Sequence, residues 1–256
     1  MPRPPRFFIS PEQVTAPQII LSGEDVRHIA TVLRMKPGDE LVLCDGKGTD
    51  YAVKIIAISK TEIRTEIVSQ RSHGTAYPRI TLGQGLPKSD KMDFIVQKAT
   101  ELGVSHIVPV VTERTIVKIK DEEKRISRWQ KIAREAAMQS NRSDIPRVGP
   151  MCSFRDFIAS PDPGPLTLDL ASPVPGPRTL LLLPWEEGTE PIRNVLRANP
   201  GVKKIIVLIG PEGGFSPAEA ETATGKGFHL VSLGPNILRT ETASLAALSM
   251  INYEYV

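Results

Sequence analysis

Two glycine- and proline-rich turns in residues 208–249 constrain the fold of this chain more than any other feature. The first turn lies in LIGPEGGFSPAEAE and the second in LGPNILRTETASLAALS, and each follows an apolar, strand-like run and precedes a helix-like run. Alternating strands and helices are typical of an α/β fold with a mostly parallel sheet. Because such sheets bind ligands at the carboxyl ends of their strands, both turns are predicted to line a ligand site.

The first turn, GPEGG, ends at a helix start signal that is complete in the sequence. Ser216 is the predicted N-cap, Pro217 the first helical residue and Glu219 the reciprocal carboxylate of a capping box. Gly213 and Gly214 allow backbone shapes that other residues resist, so a ligand can approach the main chain closely. A tight structural turn is the alternative, but such a turn does not need two glycines beside a proline and a carboxylate.

The kind of ligand is narrowed by two motifs that this turn lacks. Its glycines do not have the G-x-G-x-x-G spacing of dinucleotide sites, and no Gly-Lys-Ser/Thr follows them as in a phosphate loop. Glu212 would also repel a phosphate. A ligand with a positive centre, or one bound through main-chain hydrogen bonds, is therefore favoured, and S-adenosylmethionine has both properties.

The second turn carries a cation at an unusual place. Arg239 lies at the junction between the loop and the last helix, where a positive charge opposes the helix dipole. Two interpretations stay open. Either Arg239 forms a structural ion pair with Glu241 or Glu212, or it is kept at this junction for function.

Charge is divided unevenly along the chain. The net charge is +3, but residues 1–150 carry 24 Lys and Arg against 18 Asp and Glu, whereas residues 151–256 carry 8 against 11. A basic first half suits a polyanion such as nucleic acid, and a merely solvated basic surface is the alternative. The two cysteines and four histidines have no metal-ligand spacing, and no apolar run is long enough to span a membrane. We therefore expect a cytoplasmic protein without a metal.

The sequence pattern changes near residue 73. Before it, short strand-like runs separated by tight turns predict a small β-barrel, a fold that commonly binds RNA but has many other uses. After a polar linker at residues 70–78, strands alternate with helices, and Ser89 is the predicted N-cap of the first of these helices. We expect one domain at residues 1–72 and a second at residues 73–256.

Six blocks of the sequence resemble those of the SPOUT-class RNA methyltransferases, and more closely those of the bacterial 16S ribosomal RNA (uridine-N3) methyltransferase family. The blocks are RFFI, HIATVLRMKPGDELVLCDGKG, KMDFIVQKATELGVSHIVPVVTERT, REAAMQSNRSDIPRV, GPEGGFSPAEAE and LGPNILRTETASLAALS. They occur in the family's order and extend over nearly the whole chain, except for the proline-rich residues 150–177. One departure is Asn236, which stands where the family commonly has a basic residue.

The resemblance implies a fold and an activity. The expected fold is a PUA-like β-barrel followed by a SPOUT-type α/β domain with a C-terminal trefoil knot, in a homodimer. The expected activity is S-adenosylmethionine-dependent methylation of N3 of a specific uridine in small-subunit ribosomal RNA. Three loops are implied to bind the cofactor, through Leu182, Leu183, Pro184, Gly210, Pro211, Glu212, Gly213, Gly214, Leu233, Gly234, Ile237, Leu238, Arg239 and Thr240.

Roles in catalysis and RNA binding follow from the same resemblance. Arg239 is the first catalytic candidate, because a guanidinium can stabilise negative charge on the uracil oxygens. Glu212 and Glu241 are candidates to orient Arg239 or to accept the N3 proton. The basic residues expected to contact RNA are Arg6, Arg27, Arg34, Lys88, Lys91, Arg114 and Arg142.

Two other functions are kept as alternatives. The first is a non-catalytic RNA-binding or ribosome assembly factor on the same fold, and the two ligand-like turns count against it. The second is a nucleotide-dependent oxidoreductase, and the missing dinucleotide spacing counts against that.

Overall fold

The structure is a computed structural model that describes residues 4–73, 78–88, 90–117, 121–161 and 179–255. The predicted N-cap Ser89 and most of the proline-rich segment lie outside the described residues. The chain divides into two compact units. The first comprises Met1–Gly74 with Ala137–Ile145, and the second comprises Thr75–Ala136 with Pro146–Val256.

The first unit is built on a six-stranded sheet. Its strands are β1 Arg6–Phe8, β2 Val14–Thr15, β3 Gln18–Ser22, β4 Glu40–Cys44, β5 Thr49–Ile58 and β6 Glu62–Ser72. Their order in the sheet is β1-β4-β5-β6-β3-β2, with β1 parallel to β4 and the other pairs antiparallel. A 3-10 turn, Pro11–Gln13, precedes β2, and helix α1 Glu24–Arg27 follows β3 and continues into a π-helical turn, His28–Val32.

Alternation along the strands forms the core of this unit. Ile19 and Leu21 of β3 are buried while Ile20 between them is exposed, because successive side chains of a strand point to opposite faces. Leu41 and Leu43 of β4 join the same cluster. The short strands and tight turns of the sequence predicted a small β-barrel, and the structure describes a six-stranded mixed sheet with a buried face.

A charged cluster is enclosed in the first unit. The Arg6 guanidinium lies 2.8 Å from Asp50 Oδ1, 2.9 Å from Cys44 Sγ and 3.3 Å from Ser143 Oγ, and His73 Nε2 lies 2.9 Å from Asp50 Oδ2. Burial raises the pKa of the Cys44 thiol to about 12. Burial also acts to raise the pKa of Asp50, but hydrogen bonds from Arg6, Ser143 and Cys44 outweigh it and hold that pKa below its usual value.

The second unit contains an eight-stranded sheet in which all the strand pairs are parallel. Its strands are β7 Arg79–Gly85, β8 His106–Val111, β9 Arg147–Val148, β10 Cys152–Ser153, β11 Thr179–Pro184, β12 Glu190–Pro191, β13 Lys204–Ile209 and β14 His229–Ser232. The order is β10-β8-β7-β13-β11-β14-β12, and β9 pairs with β8. The described helices after β7 are α2 Lys91–Glu101, α3 Glu122–Gln139, α4 Phe154–Ala159, α5 Ile192–Arg197, α6 Pro217–Gly225 and α7 Thr240–Tyr255.

Strand β13 shows why this sheet needs a helix layer on each face. Ile205 and Val207 belong to a core cluster with residues of α2, α5 and α7, whereas Ile206 and Leu208 belong to a second cluster with residues of α4 and α6. A strand that is buried on both faces reads as a continuous apolar run, as this one does. The α/β fold predicted from the sequence is confirmed, and the trefoil knot stays a prediction.

Candidate functional site

A cavity of about 500 Å³ lies in the second unit, lined by the segments that follow β11, β13 and β14. These three strands are neighbours and parallel, so their carboxyl ends open at the same edge of the sheet. Twelve of the residues expected to bind a cofactor line the cavity: Pro184, Gly210, Pro211, Glu212, Gly213, Gly214, Leu233, Gly234, Ile237, Leu238, Arg239 and Thr240.

The first of the three segments starts later than predicted. Leu182 and Leu183 are fully buried and pack in the two core clusters, so they do not line the cavity. The lining begins at Pro184, the last residue of β11, and continues with Trp185 and Glu186, which sequence reasoning missed. The available signal was the Pro-Trp-Glu sequence directly after a strong strand pattern.

Glycines set the shape of the cavity wall. A Cβ on Gly85, at the end of β7, would lie 2.5 Å from the nitrogen of Pro211, so the first turn lies directly against that strand. Gly214 has φ 67°, in the left-handed region that favours glycine. A Cβ there would lie 3.0 Å from a carboxylate oxygen of Glu186. The Glu186 carboxylate therefore packs directly against the main chain of Gly214, and the approach of a ligand to this turn stays a prediction.

The loop after β8 holds this turn in place. The capping box is confirmed: Ser216 and Glu219 exchange the two expected bonds with each other's main chain. The main-chain N–H of Glu113 donates to Glu219 Oε1 at 2.9 Å, and the Ser216 hydroxyl donates to Glu113 Oε2 at 2.6 Å. Arg114 Nη1 donates to the carbonyl of Gly213 at 2.8 Å. The turn is thus fixed from outside as well as by its own helix.

A buried polar network joins the first turn to the last helix. Gln84 Nε2 donates to Thr240 Oγ1 at 2.9 Å, and Thr240 Oγ1 donates to the carbonyl of Gly210 at 2.6 Å. The Ser244 hydroxyl lies 2.5 Å from Gln84 Oε1. All three side chains are buried and hydrogen-bonded, which is the condition under which buried polar groups stabilise one arrangement.

Among the described residues, the carboxylates of the cavity pair with Lys91 and not with Arg239, so the structural ion pair that was one interpretation of Arg239 is not formed. Lys91 Nζ lies 3.0 Å from Glu212 Oε1 and 3.4 Å from Glu241 Oε2. Arg239 is exposed, and its guanidinium makes no ion pair with a described residue. Arg239 and Glu212 line the cavity, whereas Glu241 reaches Lys91 without lining it. Both carboxylates thus pair with Lys91. The guanidinium of Arg239, unpaired among the described residues, indicates that this residue has a role other than an internal ion pair.

Hydrogen bonds stabilise the charged forms of Glu212 and Lys91. Partial burial acts to raise the pKa of Glu212, but its own main-chain N–H, that of Lys88 and the ammonium of Lys91 outweigh burial and lower this pKa. The hydrogen bond from Lys91 to Glu212 is the main cause that raises the pKa of Lys91. The pair is therefore ionised at neutral pH.

Comparison with known proteins identifies the family to which the chain with this cavity is similar. A family model described as an RNA methyltransferase domain matches residues 75–252, and one described as an RNA methyltransferase PUA domain matches residues 21–68. Ribosomal RNA small subunit methyltransferase E of Bacillus subtilis is 33% identical over 97% of this chain and 96% of that protein. The protein of the same name from Synechocystis is 32% identical over 96% of this chain and 77% of that protein.

The chain belongs to the ribosomal RNA small subunit methyltransferase E family.

A solved structure of this family is similar along its whole length. The Neisseria gonorrhoeae ribosomal RNA small subunit methyltransferase E, bound to S-adenosyl methionine, superposes with a TM-score of 0.80 at 32% identity, over 98% of each chain. The predicted SPOUT-type α/β domain preceded by a PUA-like domain is confirmed by these matches.

The basic residues predicted for RNA binding in this family member fall into two groups. Arg27, Arg34 and Lys88 are exposed. Four others have partners within the protein: Arg6 in the enclosed cluster, Arg142 with Asp144 at 2.7 Å, Lys91 in the cavity and Arg114 on the first turn. Arg6 and Arg142 are corrections to the prediction, because only 14% and 12% of their side chains are exposed. Positive charge alone cannot reveal such partners.

No described helix combines the length and the apolar character that crossing a membrane requires. No group of three or more His, Cys, Asp or Glu side chains in the described part of the chain is arranged to hold a metal ion.

Proposed function

We propose that this chain transfers a methyl group from S-adenosylmethionine to N3 of a uridine in small-subunit ribosomal RNA. The observation that carries the proposal is the three-loop cavity, which is built from the strand ends of a family whose Neisseria member binds S-adenosyl methionine. The residues fit this cofactor. The absence of a Cβ at Gly214 lets the Glu186 carboxylate lie against the main chain of the turn, and this carboxylate makes no hydrogen bond or ion pair with a described residue. An ionised carboxylate there suits a ligand with a positive centre.

When bound, the cofactor supplies an electrophilic methyl group on a positively charged sulfur. Main-chain groups of residues 210–214 and 233–238 would hold its adenosine, since these loops form most of the cavity wall. Their fixed positions would bring the methyl group and the uridine together in line, which is a large part of catalysis in group transfer.

Arg239 would act on the uridine. N3 carries a proton and normally lies on the pairing edge, so the base must be unpaired or extruded before it can react. Loss of that proton spreads negative charge onto the uracil oxygens. A guanidinium at the cavity wall that has no described ion-pair partner can stabilise this charge as it develops.

Glu212 and Glu241 fit a supporting role better than that of a base. Glu212 has a lowered pKa and is held by Lys91 and by the main chain of Lys88, which makes it a weak proton acceptor. Glu241 does not line the cavity. Both are assigned to the support of the cavity wall.

RNA would be bound by exposed basic residues. In the first unit, Arg27 and Arg34 lie in the segment that also exposes Val32 and Leu33, which are 67% and 41% exposed. Such a mixture of cations and apolar side chains suits phosphates and unstacked bases together. In the second unit Lys88 is exposed next to the Glu212 contact.

The proposal includes a homodimer in the cytoplasm. In the second unit, helices α2 and α7 pack together, and they expose Phe94 and Tyr253, which are 44% and 87% exposed. Ile237 on the cavity wall is 87% exposed. A large exposed apolar side chain on the cavity wall supports the covering of that wall by a second copy, and the exposed side chains on α2 and α7 offer further apolar surface to it. Light scattering on the purified protein would measure the mass directly.

A methyl-transfer assay tests the activity. Radiolabelled S-adenosylmethionine is incubated with the protein and either protein-free small-subunit ribosomal RNA or assembled small subunits, and calorimetry measures binding of S-adenosylmethionine and of NAD. The proposal expects binding of the first cofactor only and label in one of the two RNA substrates. Binding of neither cofactor would favour a non-catalytic RNA-binding factor, and binding of NAD would favour an oxidoreductase.

A further inference from the structure

Lys91 occupies a place that is unfavourable for a cation. It is the first residue of helix α2, where the helix dipole disfavours positive charge. Its side chain is 33% exposed and lines the cavity, and its ammonium lies within 3.4 Å of two carboxylates. The two ion pairs offset the unfavourable position of the charge. The function of Lys91 therefore depends on the parts of the cavity to which the two carboxylates belong.

The two carboxylates belong to two different walls of the cavity. Glu212 lies in the turn after β13, and Glu241 lies in the first turn of α7, two positions after Arg239. Because one ammonium reaches both, the carboxylates are close enough to repel each other if that ammonium is removed. Glu241 Oε2 is buried and accepts no hydrogen bond from a described residue, so Lys91 is the positive charge it faces.

The geometry points to Lys91 as a positioning residue for methyl transfer. Its ammonium joins Glu212 to Glu241, and thereby holds the glycine-rich turn and the Arg239 junction at a fixed separation across the cavity. Lys91 also neutralises Glu212, which leaves Glu186 as the cavity-lining carboxylate without a described partner. This inference rests on the proposed function and adds a residue to it. Lys91, expected from the sequence to contact RNA, acts instead through two other side chains.

The chain offers a matched control for Lys91. Lys98 lies on the same helix, its side chain is also 33% exposed, and it forms an ion pair with Glu101 at 2.8 Å. Replacing Lys98 by Met therefore removes an equivalent charge and ion pair away from the cavity. Lys91→Arg keeps the positive charge on this side chain, so it serves as the conservative variant.

We expect Lys91→Met to weaken S-adenosylmethionine binding, measured by calorimetry, by about tenfold or more, because small displacements of a catalytic wall are costly. The pH profile of the methyl-transfer rate should also change. The charged groups near the lost ammonium are Glu186, Glu212 and Arg239 on the cavity wall and Glu241 on α7. Without Lys91, Glu212 and Glu241 repel each other, so the acidic limb of the profile should move to higher pH. Lys91→Arg should restore both properties, and Lys98→Met should match the wild type.

A second variant decides the matter even if Lys91→Met does not fold. Glu241→Gln changes a side chain that does not line the cavity, yet it should weaken cofactor binding because it breaks the ion pair that joins Lys91 and Glu212 to helix α7. Where both single variants fold, their effects should not add, since they break one linkage. The inference is overturned if Glu241→Gln binds the cofactor as the wild type does, or if Lys91→Met and Lys98→Met behave alike. A wild-type protein that transfers no methyl group would overturn the proposed function itself, which is a different outcome.

Discussion

Replacing Arg34 by glycine separates RNA binding from folding. Arg34 follows the π-helical turn His28–Val32 and has φ 53°, in the left-handed region where a side chain is strained. Main-chain bonds from Leu33 to His28 and from Met35 to Ile29 close the turn around it. Glycine is the residue that adopts this conformation at least cost, so an arginine here indicates that its side chain is needed.

Arg34→Gly is expected to maintain or raise the stability of the protein and to lower its affinity for RNA. The left-handed conformation costs an L-residue about 1–2 kcal/mol, and glycine avoids this cost. Glycine also loses more conformational entropy on folding, which destabilises the variant by about 0.5–1 kcal/mol. Arg34→Gly should therefore leave the free energy of unfolding unchanged or raise it by up to about 1.5 kcal/mol. It should lower RNA affinity and reduce the slope of log K against log salt by about 1, which corresponds to one lost phosphate contact.

The assay is binding of small-subunit ribosomal RNA fragments over a series of salt concentrations, with a denaturant melt of the same samples. Arg64→Gln is the control, because Arg64 is another exposed arginine of the first unit, with 57% of its side chain exposed, and it is paired with Glu62. Cofactor affinity should stay unchanged in both variants. An Arg34→Gly protein that is stable and binds RNA with the wild-type salt slope would refute the assignment.

Two further predictions concern the packing of each unit. Gly85→Ala should weaken cofactor binding, because its Cβ would lie 2.5 Å from the nitrogen of Pro211. The control is Gly225→Ala, whose Cβ would meet nothing within 4 Å and which should bind the cofactor as the wild type does. Equal affinities of the two variants by calorimetry would contradict this prediction. Asp50→Asn should destabilise the first unit by about 3 kcal/mol in a denaturant melt, since it leaves Arg6 without its buried partner. Folding lowers the pKa of Asp50, so the stability that Asp50 contributes is present above the usual carboxyl pKa and is lost as pH falls through the lowered value. The free energies of unfolding of the variant and the wild type should therefore converge in acid. A difference that persists in acid would refute this cause.

Local signals in the sequence predicted what depends on neighbours in the chain. The capping box of Ser216 and Glu219 needs only residues three positions apart, and the structure contains it as predicted. The two ligand turns follow from strands that end in glycine and proline, and both line the cavity. The apolar, strand-like run before the first turn is strand β13, which the structure buries on both faces.

Contacts between distant parts of the chain could not be predicted in this way. Lys91 was assigned to RNA because its charge is visible in the sequence, whereas its partners Glu212 and Glu241 follow far later in the chain. Arg6 was misjudged for the same reason, since its burial depends on Asp50 and on the segment around Ser143. The polarity of a side chain is local information, but its partner is decided by the tertiary fold.

Methyl transfer to N3 of a uridine, with the help of Arg239, is the activity that we propose for this cavity. The most direct measurement is mass-spectrometric mapping of the methylated nucleotide in small-subunit ribosomal RNA, made with the wild type and with Arg239→Ala. We expect N3-methyluridine at one position for the wild type, and a rate about 10²–10³-fold lower for Arg239→Ala with an unchanged molecular mass in light scattering. A methyl group on another atom, or a variant that methylates at the wild-type rate, would contradict it.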